Sequence, residues 1–193
     1  MIHNKYLWIL KQFTGDYTRE IYGRSLVSKV PLSQKAIALA LGELESDGIL
    51  RYKLQGNIKY FKLNLTNPNI KDVMLSVEIA KKLEFFKKHR KLAHIFKSDT
   101  RVVGIFGSYA NGTETKTSDI DLFIVGGKKG ADYSAEGKKL DLNISIKYFS
   151  EQEFAKLTAK KNMLCKEIVR NHLIIFGVEA FVNIIWRYHY GLN

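Results

Sequence analysis

Apolar residues recur at helical spacing through the first half of the chain and switch to strand-like runs in the second. Tyr6, Leu7, Ile9, Leu10 and Phe13 predict a helix over residues 2–13, which Gly15 and Asp16 end. A short second helix is predicted over 18–28, with Thr18 as its N-cap and a turn through Val30 and Pro31 behind it. Ile37, Ala40, Leu41 and Leu44 predict a third over 33–46, stopped by Asp47-Gly48. ILRYKLQ and NIKYFKLN then alternate on either side of Gly56-Asn57, a hairpin signal. Asn67-Pro68 breaks the chain before a long amphipathic helix over 70–97, whose stripe is Val73, Met74, Val77, Ala80, Leu83 and Phe86. That stripe reads as domain packing or a dimer seam, and Lys81, Lys82, Lys87, Lys88 and Lys91 as its solvated face. From residue 101 onward RVVGIF, DIDLFIV and LDLNISIKYF predict strands, helices fill 151–171, LIIF follows, and a terminal helix closes the chain. The fold class is therefore α+β. Its expected parts are an N-terminal domain over 1–66, a linker helix over 67–98 and an α/β unit with a small mixed sheet over 99–193.

Three helices and a hairpin, with the phrase LSQKAIALALGELESDGIL, resemble the winged helix-turn-helix of bacterial and archaeal regulators over about residues 1–65. The resemblance implies a reading helix over 33–46 that touches DNA through Ser33, Gln34 and Lys35, with Lys53, Asn57 and Lys59 on the wing. Ala36, Ala38 and Leu39 fall where such helices place polar side chains for base edges, which favours phosphate contact over sequence readout. A winged helix followed by a striped helix also suits a homodimer.

Charge sharpens this division of the chain. The net charge of +12 lies mostly in the first half: residues 1–98 hold 18 Lys and Arg against 8 Asp and Glu, and residues 99–193 hold 13 against 11. A polyanion partner for the first half is one consequence, ordinary solubility another. At 46% hydrophobic residues the 193-residue chain can bury packed cores. No apolar run approaches the roughly 18 residues of a membrane span and the N-terminus lacks a signal-peptide layout, so the expected location is the cytoplasm. The single cysteine, Cys165, leaves no intramolecular disulfide and reads as a small buried hydrophobe. His3, His89, His94, His172 and His189 form no pair at metal-ligand spacing and read as surface or packed residues.

The stretch GSYANGTETKTSDIDLFIV carries the candidate chemistry. On a strand, Asp119 and Asp121 point to one face while Ile120 and Leu122 enter the core. Two carboxylates roughly 6.6 Å apart repel by about 2.5 kcal/mol at an effective dielectric near 20, a cost that a divalent cation between them reverses. Oxygen ligands without nearby Cys or His favour Mg²⁺ or Mn²⁺ over zinc. Upstream, Gly107-Ser108 ends the preceding strand, where backbone can approach a ligand and amides can face an anion. Carboxylates for metal beside a phosphate cradle suit phosphoryl or nucleotidyl transfer.

Gly107, Ser108, Ala110, Gly112, Ser118, Asp119, Asp121 and Leu122 resemble the nucleotidyltransferase superfamily that includes DNA polymerase β, and its minimal branch above all, over about residues 99–180. The resemblance implies that Asp119 and Asp121 hold Mg²⁺ and that Asp141 in KLDLNI supplies a third carboxylate. It further implies that Ser108 and nearby amides grip the phosphates of an NTP, with pyrophosphate leaving; Tyr109 and Asn111 stand where relatives often carry arginine, and Lys116 is the candidate to supply the missing positive charge. Asn143 and Ser145 share the strand face of Asp141, so the register leaves either Asp141 or Asn143 at the third position. Two functions follow. One is Mg²⁺-dependent transfer of NMP from NTP to a hydroxyl, with a DNA-binding domain attached. The other is a DNA-binding regulator, or an antitoxin paired with a toxin protein, whose second domain senses nucleotide or is inactive.

Overall fold

The computed structural model describes residues 4–192. The chain divides into two compact units, Met1–Val77 and Glu78–Asn193.

The first unit opens with α1 (Asn4–Leu10), continued by a 3-10 turn over Lys11–Phe13; the predicted start at Ile2 lies outside the described residues. The predicted helix over 18–28 is replaced by a two-residue strand, β1 (Ile21–Tyr22), and one 3-10 turn, Gly23–Leu26. The reason is long-range pairing: Ile21 and Tyr22 lie opposite Phe61 and Tyr60, and tertiary pairing overrides a weak local preference. Helix α2 (Gln34–Ser46) forms as expected, with the Ser33 hydroxyl accepting from the Ala36 amide at 3.2 Å. It buries Ile37, Ala40, Leu41 and Leu44, the i, i+3, i+4, i+7 set. Strands β2 (Leu50–Gln55) and β3 (Ile58–Leu63) make the hairpin, turning at Gly56 with a positive φ of 57°. The sheet runs β1-β3-β2, antiparallel throughout. One of its faces buries Ile21, Leu50, Phe61 and Leu63.

Helix α3 (Ile70–Lys88) ends nine residues before the predicted 97, and a 3-10 turn over Arg90–His94 follows. Its buried face is also rotated from the expected stripe: Met74, Val77, Glu78 and Phe85 are buried, whereas Leu83 is 63% exposed. Glu78 is covered because its carboxylate has partners. Oε1 lies 3.0 Å from Nε2 of His172 and Oε2 lies 2.8 Å from Nζ of Lys81. The Nδ1 of His172 is within 3.1 Å of the Ile168 carbonyl and 2.9 Å of the Val169 carbonyl. Carbonyls only accept, so Nδ1 carries a proton.

The second unit is built on a four-stranded mixed sheet of order β6-β5-β4-β7, comprising β4 (Val102–Phe106), β5 (Ile120–Val125), β6 (Ile144–Phe149) and β7 (Leu173–Phe176). Only β5 and β6 are parallel. Between them lie α4 (Gly107–Asn111), α5 (Tyr133–Lys138), α6 (Glu151–Ala159) and α7 (Met163–Arg170), and α8 (Val178–Ile184) follows β7. The helical stretch predicted over 151–171 is thus two helices, the second capped by Asn162 accepting from the Leu164 amide. One sheet face packs Val103, Ile105, Ile120, Leu122 and Ile124 against Phe85, Leu92, Ile95, Phe96 and Tyr133. The other is aromatic, with Phe123 stacked on Phe154 at 5.9 Å and tilted against Phe181 at 5.7 Å. Gly104 makes room for Phe123, since a Cβ there would stand 2.3 Å from the ring. Gly104→Ala is therefore expected to cost about 1–3 kcal/mol by overpacking, read as a lower midpoint in denaturant unfolding.

Arg101 anchors the start of β4. Its guanidinium donates to both Asp99 oxygens, to the Gly127 carbonyl at 3.1 Å and to the Ala131 carbonyl at 3.3 Å, and Tyr133 adds a 2.7 Å hydrogen bond to Asp99. Burial pushes the Asp99 carboxyl up, but the hydrogen bonds from Arg101 outweigh it and hold it at about 2. A Cβ at Gly130 would lie 2.5 Å from the Arg101 Cζ.

Candidate active site

Four chain segments meet at one end of the mixed sheet. Strand β4 finishes there at Phe106, opposite Asp121 near the start of β5; β6 begins beside it, with Ile144 opposite Ile120; and β7 begins with Leu173 opposite Ile105. Asp119 immediately precedes β5 and is exposed, and Asp121 is its second residue and partly buried. The Asp121 carboxyl is pushed above its ordinary value, first by burial, then by the charges of Asp119 and Glu167, against a smaller opposing effect from Lys147.

Gly107 turns the chain from β4 into α4 with a φ of 68°. A Cβ at that position would stand 2.6 Å from Asp121 Oδ2, so backbone and carboxylate approach as only glycine allows. The single turn of α4 closes at Gly112, in the left-handed region at φ 69°, whose amide returns to the Ser108 carbonyl. Thr113 N–H donates to the same carbonyl at 3.0 Å. Gly107→Ala is expected to lower both turnover and stability. In denaturant melts its penalty combines less than additively with Asp121→Ala, because the second change removes the group the new Cβ strikes.

Ser118 is bound into the turn before β5: its hydroxyl accepts from the Thr115 amide at 2.9 Å and lies 3.0 Å from the Thr115 hydroxyl. This sets the entry of Asp119 into the strand. Lys116 lies exposed on the same loop.

Asp141 precedes β6 and lies outside its ladder with β5. It occupies an exposed turn ahead of β6, with a φ of 54°, and the register puts Ser145 opposite Asp121 and Asn143 just outside the ladder, its carbonyl accepting from the Ile120 amide at 2.9 Å. The predicted strand over 140–149 is thus shortened to 144–149. The cause is a tight contact: Leu140 and Leu142 amides both return to the Gly137 carbonyl, and a Cβ at Gly137 would meet Ile144 at 2.7 Å. Among the described residues no group of three or more His, Cys, Asp or Glu is arranged to hold a metal ion. The two-carboxylate pair nevertheless fits one divalent ion of the Mg²⁺ kind, which takes one or two carboxylates and completes its shell with water and substrate phosphate.

Sequence reasoning passed over three charged groups near this end. Glu167 on α7 and Lys147 on β6 both act on Asp121. Lys147 was readable, since it continues the alternate face of Asn143 and Ser145; Glu167 depends on how α7 packs. The third is Glu114, which fixes the loop between α4 and β5: its Oε1 lies 2.6 Å from Lys88 Nζ and 3.3 Å from His89 Nε2. The His89 ring meets Tyr109 edge-on at 5.7 Å. Lys88, expected on a solvated face, is thus a loop anchor.

Residues 90–179 match the family described as polymerase beta, nucleotidyltransferase. The nucleotidyltransferase match encloses Gly107, Ser108, Asp119, Asp121 and Asp141. A protein of Methanocaldococcus jannaschii named as a protein adenylyltransferase is 37% identical over 82 residues, which is 42% of this chain and 60% of that protein. The chain therefore spans about three fifths of the length of that relative. No solved structure matches. Among the described residues, no helix is long and apolar enough to cross a membrane.

The residues expected to touch DNA lie in the first unit. Gln34 and Lys35 are exposed at the start of α2, and Ser33 is exposed although its hydroxyl serves as the cap. On the hairpin Lys53 pairs with Glu20 at 2.7 Å, Lys59 lies 4.1 Å from the Tyr52 ring centroid, and Asn57 is exposed at the turn.

Proposed function

We propose that the second unit transfers a nucleoside monophosphate from NTP to a hydroxyl acceptor. The observation that carries this reading is the approach of the Gly107 backbone to Asp121, next to Asp119, at the sheet end inside the nucleotidyltransferase match. In the reaction the acceptor oxygen bonds to the α-phosphorus, the bond from that phosphorus to the β-phosphate oxygen breaks, and pyrophosphate departs. The hydroxyl proton passes to solvent. Asp119 and Asp121 would hold Mg²⁺ or Mn²⁺, which supplies charge neutralisation at the phosphates. Gly107 lets the chain approach the nucleotide, Ser108 offers a hydroxyl to the phosphates, and Lys116 offers a mobile positive charge. The name of the archaeal relative favours ATP as donor and a protein hydroxyl as acceptor. The test is incubation of the full chain with each α-labelled NTP and Mg²⁺ or Mn²⁺. Label is expected on a protein or small-molecule acceptor, and neither binding nor turnover with any nucleotide would remove the proposal.

A second reading rests on the position of Asp141. Ser145 stands opposite Asp121 and Asp141 lies outside the ladder; a site with acidic ligands for one ion only would bind nucleotide without rapid turnover. It would then serve as a sensor in a DNA-binding regulator, or as an antitoxin with a protein partner. Tight NTP binding without product, with Asp141→Asn unchanged in affinity, would select it. In both readings the first unit acts as a winged helix on DNA, through Ser33, Gln34, Lys35, Lys53, Asn57 and Lys59. The order of α1, α2 and the β2-β3 hairpin supports this.

A further inference from the structure

The three-stranded sheet of the first unit has one buried face and one open to solvent. Side chains directly opposite in an antiparallel ladder share a face. Arg51 lies opposite Lys62, Lys53 opposite Tyr60, and Tyr60 opposite Tyr22, which gathers two tyrosines and three cations on the open side. Tyr22, Arg51 and Lys53 are exposed and Tyr60 and Lys62 half-buried. The rings of Tyr22 and Tyr60 stand 5.5 Å apart, tilted by 58°. Residues 50–63 contain four Lys and Arg and no Asp or Glu. Lys53 is satisfied by Glu20, but no ion pair among the described residues engages Arg51 or Lys62. Like charges directly opposite in a ladder destabilise it, so this pair gains from an anion between them.

Helix α2 offers much less. Its outward positions include Ala38, Gly42 and Leu39, the last 57% exposed, and Glu43 on the same helix is engaged by Lys5. Beyond Gln34 and Lys35 at its start, the small and apolar side chains there have nothing to donate to base edges in a groove.

We propose that the open face of the β1-β3-β2 sheet binds single-stranded nucleic acid, with Arg51 and Lys62 on phosphates and Tyr22 and Tyr60 under unstacked bases. Cations tracking a backbone beside aromatic rings are what such a strand needs, and a duplex, whose bases are already stacked, cannot use the rings. The inference is independent of the transferase reading: it involves no residue of the second unit and its test contains no nucleotide triphosphate.

The test is fluorescence anisotropy of the full chain with labelled oligo(dT) and oligo(U) of about 20 nucleotides and a duplex of equal length, across a salt series. Single strands are expected to bind at least about tenfold more tightly than duplex. In Arg51→Ala/Lys62→Ala the slope of log affinity against log salt should become shallower by about 1.4, two phosphate contacts at about 0.7 each. Tyr22→Leu, which keeps an apolar contact with Tyr60, should weaken binding by about tenfold, and Lys160→Ala, an exposed cation of the second unit, should leave it unchanged. Arg51→Lys should retain the slope, which separates lost charge from lost folding. Equal or tighter binding of duplex, a salt slope unchanged in Arg51→Ala/Lys62→Ala, or binding of anionic phospholipid vesicles in place of either oligonucleotide would overturn the proposal, as would no binding at all.

Discussion

Asp119→Asn and Asp121→Asn are each expected to reduce nucleotidyl transfer by on the order of 10²–10³-fold while leaving the fold intact. Each removes one of the two carboxylates proposed to hold the cation that would neutralise charge at the phosphates. The two substitutions should differ in stability. Asp121 is the buried member, and burial with the neighbouring Asp119 charge raises its carboxyl, so its ionised form is disfavoured in the folded chain. Asp121→Asn should therefore raise the thermal midpoint without metal, whereas Asp119→Asn, at an exposed position, should change it little. Adding Mg²⁺ should raise the midpoint of the parent chain and not that of either variant. The measurements are label incorporation from NTP and thermal melts with and without Mg²⁺. An Asp121→Asn chain that melts lower and transfers normally would contradict the assignment of this end of the sheet.

The largest expected effect on stability lies at Glu78. Its side chain and that of His172 are fully buried in contact with each other, and Lys81 closes the other carboxylate oxygen. Glu78→Ala leaves the imidazole and ammonium groups without their counter-charge and is expected to cost about 3–5 kcal/mol, measured by urea unfolding. Replacing Glu78 and His172 together with apolar residues of similar volume should cost much less, since it is the unpaired remainder that is expensive. The same contact predicts acid sensitivity. Burial raises the Glu78 carboxyl, yet Lys81 and His172 more than offset this and hold it at about 2, below its ordinary 4.5. A depressed carboxylate stabilises the fold fully above its unfolded value, so this contribution should be intact above about pH 4.5 and disappear as pH falls through about 2. In Glu78→Gln that part of the acid transition should vanish.

Much of this was legible in the chain because it rests on local periodicity. The alternation of Asp119, Ile120, Asp121 and Leu122 fixes which side chains share a face, and Gly107 announces a backbone corner before any fold is known. What was not legible depends on contacts between distant segments. Residues 18–28 carry helix-compatible residues, yet Ile21 and Tyr22 are recruited by β3, some forty residues on. Asp141 sits in a strand-like run, but the close packing of Gly137 on Ile144 holds residues 139–141 in a turn. The stripe of α3 was mis-set by the same kind of effect. A glutamate counted as polar is buried because a histidine more than ninety residues away accompanies it, and Leu83 is left outside.

The GGKKG segment at 126–130 shows how far a glycine-rich motif can mislead. Glycines beside lysines suggest a loop that wraps an anion, yet here the Gly127 carbonyl, with that of Ala131 just beyond the segment, accepts from the Arg101 guanidinium. Lys128 and Lys129 are exposed and free of that packing, whereas a side chain at Gly130 would strike the Arg101 guanidinium.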